Sequence, residues 1–201
     1  MTTLIRRVAL PFAVVSALLA GGCLGGTAPT RFYVLGAVDG PAVAGDRALT
    51  LGIGPVTLAG YLDRPQIVTR PATDKIDLVR GEFDQWGEPL RDGISRVLAE
   101  DLSRQLPSAK IAIFPWRGLD AVRYQVLVDV TRFDGPAGGD TALEARWRIL
   151  DGVTAKEAAA KTTRLAEPPG GSGYPLTVSA MSRALNTLSR EIAQTLVALP
   201  Q

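Results

Sequence analysis

Pro89-Leu-Arg-Asp-Gly-Ile-Ser-Arg-Val-Leu-Ala-Glu-Asp-Leu-Ser-Arg-Gln-Leu106 carries the clearest periodicity in the chain. Leu90, Ile94, Val97, Leu98, Leu102 and Leu106 recur at helical spacing, which predicts an amphipathic helix with one apolar stripe. Pro89 suits the first turn, where its missing N–H leaves no bond unmade. Glu88 and Asp92 lie near the positive end of the helix dipole, and Pro107 ends the run. Such a stripe has to be buried against another layer, and the flanking sequence supplies one made of strands.

Downstream, Lys110 to Phe114, Tyr124 to Phe133 and Thr141 to Leu150 read as strands. Tyr124, Val126, Val128 and Val130 alternate onto one face, and Asp151-Gly152 signals a tight turn into a paired strand at Ala158 to Leu165. Beyond a Pro- and Gly-rich loop, Val178, Met181, Leu185, Leu188, Ile192 and Leu196 mark a second helix. Upstream, Arg31 to Leu35 reads as a first strand, and Leu49 to Leu58 as a second with a bend or bulge at Gly54. Gln66 to Arg70 and Lys75 to Val79 read as two short strands of a hairpin. The order β-β-β-β-α-β-β-β-β-α predicts a single α+β domain over 31–201, a mixed or largely antiparallel sheet with two main helices packed on it.

The chain has 201 residues, no His and one Cys. That removes imidazole acid–base chemistry, His-ligated metal sites, internal disulfides and CxxC motifs. The N-terminus places Arg6 and Arg7 before an apolar run, Val8 to Ala20, and then Gly21-Gly22-Cys23. This is the layout of a secretory signal over 1–22, and the run is too short to span a bilayer comfortably. Small residues before the only Cys resemble a bacterial lipobox, with Ala20 where Leu is usual, and make Cys23 the expected site of lipid attachment. Residues 23–30 then form the acylated Cys and a short tether.

Removing the first 22 of 201 residues leaves 179, in which the loss of Arg6 and Arg7 balances 20 basic against 20 acidic side chains. The neutral mature chain gives no electrostatic reason to expect nucleic acid. Two or more acyl chains give stable anchoring, so a domain attached to a membrane surface is expected. Leu24, rather than Asp, follows the Cys. In lipoproteins resembling those of enteric bacteria, the absence of Asp there implies export to the outer membrane.

Acidic pairs such as Glu100-Asp101, Asp74 with Asp77 and Glu82 with Asp84 are not diagnostic, Glu100 and Asp101 being read as a solvated helix face, and no GxSxG, SxxK or DxDxDG sequence is present. No enzyme, metal or cofactor is expected. Trp86, Trp116 and Trp147 are expected as core or loop anchors, one of which could line an interface. The segment from Gly60 to Arg70 is least explained by folding alone. Its mixture of Tyr61, Leu62, Arg64 before Pro65, and Arg70 is that of a contact surface, or else of a turn with Tyr61 packed beneath it.

The lipobox, Phe32-Tyr-Val-Leu35, Val56-Thr-Leu-Ala-Gly-Tyr-Leu-Asp-Arg-Pro-Gln-Ile-Val68 and Trp86-Gly-Glu-Pro-Leu90 together resemble the ABC-type transport auxiliary lipoprotein family. The resemblance continues through Val126 to Phe133, Ala145-Arg-Trp147 and the terminal helix. It implies a non-enzymatic periplasmic lipoprotein of the bacterial envelope, held at the outer membrane. Its partner would be an MCE-domain protein anchored in the inner membrane that moves lipid between membranes. Some such systems are driven by an ABC ATPase, others are of the paraquat-inducible kind, and a homo-oligomeric ring is known in the family. The rival expectation is a lipoprotein that carries lipid in its own cavity, which would need apolar residues beyond those filling one sheet–helix interface.

Overall fold

The computed structural model describes residues 28–45, 48–71, 76–116, 122–136 and 138–200. Residues 1–27, on which the expected signal sequence, Cys23 and most of the expected tether fall, lie outside them. Strands β1 (Arg31–Tyr33), β2 (Thr50–Leu58), β3 (Gln66–Thr69) and β4 (Val79–Trp86) precede helix α1 (Leu90–Gln105). Then follow β5 (Lys110–Ile113), β6 (Tyr124–Asp134), β7 (Thr141–Asp151), β8 (Glu157–Glu167) and helix α2 (Tyr174–Ala198). This is the expected order of elements in a mixed α+β fold.

The strands divide into a five-stranded sheet of order β5-β2-β6-β7-β8 and a three-stranded sheet of order β1-β4-β3. In the larger sheet β2 pairs in parallel with β5 and β6, while β6-β7 and β7-β8 are antiparallel. Parallel pairing needs a crossover, and α1 lies on the one from β2 to β5. The bend foreseen at Gly54 is a shift of register between Ile53 and Val56, with Gly54 at φ 107°, a backbone conformation that suits glycine.

Both helices cover one face of the larger sheet, α1 against β2 and β5, α2 against β7 and β8. The alternation in β6 puts Tyr124, Val126, Val128 and Val130 into this layer, the three valines opposite Ile149, Trp147 and Ala145 of β7. Burying a side chain of this size stabilises by about 1.5–3 kcal/mol, so the two stripes and the strand faces that meet them hold the fold. A second register shift, between Val130 and Arg132, turns Phe133 into the core at the end of β6 and leaves Asp134 on the opposite face with Arg132, where it is nonetheless buried.

Two expectations are corrected. The second hairpin strand runs from Val79 to Trp86, and residues 72–75 lie outside the described ones. Its polar composition hid it: β4 takes its place from pairing on both sides, with β1 at Asp84 to Trp86 and with β3 at Val79, Arg80 and Gln85. Asp101, read as solvated, is 0% exposed. The chain after β1 crosses both helices there: the Val38 N–H donates to Asp101 Oδ1 (3.0 Å) and the Asn186 amide donates to the Val38 carbonyl (2.9 Å). Burial raises the Asp101 carboxyl above its ordinary value against these hydrogen bonds. Glu100 pairs with Arg96 at 3.1 Å.

Candidate functional site

The turn after β2 is fixed first by its backbone. The Ala59 N–H donates to the Val130 carbonyl (2.9 Å), Leu62 N–H to Ala59 (2.8 Å) and Arg64 N–H to Leu62 (2.9 Å). Leu62, expected at a contact surface, is instead 3% exposed and belongs to the core, where it pins the turn to the domain. Its apolar side chain follows the neighbouring strand ends inward, leaving Asp63, Arg64 and Pro65 at the rim.

Tyr61 and Arg70 converge on Asp134, near the end of β6 on the face opposite Phe133. The Tyr61 hydroxyl donates to Oδ2 at 2.6 Å, and Arg70 donates from Nε to Oδ1 (3.1 Å) and from Nη2 to Oδ2 (3.3 Å). Arg132 Nε adds a third donor at 3.1 Å, and the Arg70 guanidinium lies 5.8 Å from the Tyr61 ring centroid. Burial alone would raise the Asp134 carboxyl, but Arg70, Tyr61 and Arg132 outweigh it and hold it below the ordinary carboxylate value. Burial, with the hydrogen bond to Asp134, pushes the Tyr61 hydroxyl up to about 12. Bidentate charge-assisted bonds of this kind order a loop strongly. The sequence reading expected Tyr61 and Arg70 at a contact surface and did not see their hub, because Asp134 lies on the face of β6 away from Phe133 and only the fold lays Tyr61 and Arg70 over it.

On the other side of the turn a cleft of about 370 Å³ opens between Asp63, Arg64, Pro65 and the segment Trp86 to Leu90. The Trp86 N–H donates to the Pro65 carbonyl at 2.7 Å and the Gly87 N–H to Tyr33 at 2.7 Å, so β4, the turn and β1 meet here. Trp86, Pro65, Pro89 and Leu90 give the cleft an apolar lining, and ion pairs flank it: Arg91 with Asp63 and Arg96 with Glu88, each at 2.6 Å. Arg64 Nε is buried and has no hydrogen-bond partner among the described residues. Buried polar atoms are nearly always paired, and Arg64 Nε, with Gln105 Oε1 and Thr141 Oγ1, is an exception among the described residues, the one of the three whose residue lines this cleft. An apolar floor, one unsatisfied cationic group and paired charges around it can hold an extended peptide segment; the site offers no nucleophile–base pair. No group of three or more potential metal ligands occurs among the described residues.

The sequence reading found both walls of this cleft and did not join them. Arg64 came from the turn, and Trp86-Gly-Glu-Pro-Leu90 from the start of α1. Trp86 and Trp147 are buried anchors, as expected, and Trp116 packs over Gly52 of β2. Cys23 lies outside the described residues, and no helix among them is long and apolar enough to cross a membrane.

This arrangement is a known fold. The chain is similar to a crystal structure of an uncharacterized protein, with a TM-score of 0.70 at 20% identity over 84% of this chain and 99% of that one. It is equally similar to protein XCC0632 from Xanthomonas campestris, with a TM-score of 0.69 at 18% identity over 84% and 96%. No curated protein sequence matches it significantly. The model of the ABC-type transport auxiliary lipoprotein component matches residues 33–193, and the chain belongs to that family. It is therefore an auxiliary lipoprotein of a transport system, and the match takes in the turn, the cleft and both helices.

Proposed function

We propose that the chain is acylated at Cys23, held on the periplasmic face of the outer membrane, and serves as a non-enzymatic docking component for an MCE-domain protein anchored in the inner membrane. The system would move lipid between the two membranes, whether driven by an ABC ATPase or of the paraquat-inducible kind. The observation that carries the docking role is the cleft with its unpartnered Arg64 Nε. A partner strand laid over Trp86 and Pro65 would bring a carboxylate or carbonyl to that nitrogen. Tyr61, Leu62 and Arg70 hold the turn that presents it. A filled layer between helices and sheet, packed with Trp147, Tyr124, Phe133, Leu98 and Leu102, supports a docking role over an internal lipid cavity. Leu24 after Cys23 supports sorting to the outer membrane. Assembly of several copies would multiply a weak single contact through avidity.

Co-purification of the mature chain with the MCE protein encoded nearby tests this reading. Arg64→Ala should weaken capture on the order of tenfold, as expected for an arginine at the centre of an interface. A chain that captures no such protein and leaves the column as a monomer with stoichiometric phospholipid would be a carrier instead. Cys23→Ala should move the protein to the soluble periplasmic fraction, and its persistence on the membrane would contradict acylation there.

A further inference from the structure

β1 is an edge strand, and it begins where the tether ends. Phe32 is 65% exposed and Val34 is 58% exposed, although both lie in a family-matched or directly adjoining part of the fold. They stand two residues apart and so point the same way. A Cβ built on Gly87 would sit 3.1 Å from Val34 Cγ1 and 3.9 Å from Phe32 Cβ, so the two side chains form one apolar ridge over that glycine. Arg31 is exposed and alternates to the side of Tyr33, with which its side chain hydrogen-bonds. The buried residues of the same stretch turn the other way: Leu35 enters the core and Tyr33 donates its hydroxyl to Asp84 at 2.7 Å.

Seven residues, Leu24 to Thr30, separate Cys23 from Arg31. Fully extended they reach at most about 25 Å, and as a flexible Gly-containing chain they average roughly 15 Å. If Cys23 carries the acyl chains, as proposed above, no other part of the domain is held so near the lipid. We infer that the Phe32 and Val34 ridge seats on the glycerophospholipid surface of the anchoring membrane, with both side chains at the boundary of headgroups and acyl chains. Amphipathic surfaces bind lipid in proportion to the apolar area they bury, and a short tether raises the effective concentration of that contact. The seat fixes the orientation of the domain. It also brings the cleft, whose wall includes Gly87, beside the lipid surface.

The full-length acylated chain, reconstituted in vesicles of phosphatidylethanolamine with a minority of phosphatidylglycerol, allows a direct test. Phe32→Trp is compared with Val153→Trp, which places the probe at a site 79% exposed in the β7–β8 turn. Both variants share the three native tryptophans as background. Phospholipids brominated near the top of the acyl chain should quench the added fluorescence at position 32 about twofold or more above that at position 153, as expected for an interfacial side chain. Equal quenching, in protein that floats with the vesicles, would overturn this inference alone. So would protection of position 32 that grows with protein density in vesicles lacking brominated lipid, since a second copy would then be the cover. Flotation of Cys23→Ala as efficient as that of the parent would remove the anchor reading, and this inference with it.

Discussion

Arg70 and Arg64 flank the same short turn, and their guanidinium groups end in different company. Arg70 meets a carboxylate with no side-chain exposure, shares it with Tyr61 and Arg132, and completes its geometry inside the domain. Arg64 lines an open cleft with a buried nitrogen that no described residue accepts from. An ion pair whose partners are satisfied internally explains itself as architecture. A buried donor left without an acceptor does not, and it is the better marker of a surface made for something else. The turn thus has an inner half that fixes its shape and an outer half that the shape presents.

The largest effect should come from breaking the inner half. Asp134→Ala leaves Arg70 and Arg132 without their shared carboxylate, and loss of one partner of a buried pair costs about 3–5 kcal/mol, to be read from urea unfolding midpoints. A loss below about 1 kcal/mol, in the range of an exposed pair, would show that the hub does not hold the turn. Next is the pH dependence. The Asp134 carboxyl is lowered in the fold, so its stabilisation is present above the ordinary carboxylate value and is lost as pH falls through the lowered one. Asp134→Asn should flatten that acid limb of the stability profile. Tyr61→Phe removes one hydrogen bond to a charged group and should cost about 1.5–3 kcal/mol. In the parent, ultraviolet titration should find one tyrosine that ionises only near pH 12.

The outer half should behave otherwise. Arg64→Ala is expected to leave stability within about 0.5 kcal/mol, because it breaks no internal bond from Nε, while weakening partner capture as described. A large loss of stability would place Arg64 with Arg70 and dissolve the distinction between them. Arg91→Ala, which removes a half-exposed ion pair with Asp63, should change stability by less than about 1 kcal/mol and leave the hub around Asp134 untouched.

What the sequence could disclose follows the strength of its periodicity. Both helices and the long strand β6 bury one face along their whole length, so their apolar residues recur at fixed spacing and were legible. β4 buries only Gly81 and Trp86, and its residues Arg80, Glu82, Asp84 and Gln85 resemble a loop; long-range pairing with β1 and β3 makes it a strand. Asp101 was read as solvated and Asp134 went unremarked, because nothing local reveals what lies over them. A segment more than sixty residues distant in sequence supplies the Val38 N–H to one and the Arg70 side chain to the other. Leu62 was misplaced for the converse reason, as an apolar residue in a turn gives no sign of which way it faces. The candidate site was half visible, its two walls quoted separately, and only folding brought Pro65 against Trp86.

The segment that leaves β1 has a mechanical meaning. Any pull on the N-terminal tether enters the domain at β1 and passes into residues 36–43, which are fastened in series: Gly36 to Ser182, Val38 to Asp101 and Asn186, and Val43 to Gln105. Those fasteners alternate between α1 and α2, so traction from one end of the chain is spread over both helices as shear and draws them together. Force along that end of the chain meets the short edge strand β1 first, and once β1 has peeled from β4 the load falls on these fasteners and the whole helical layer behind them.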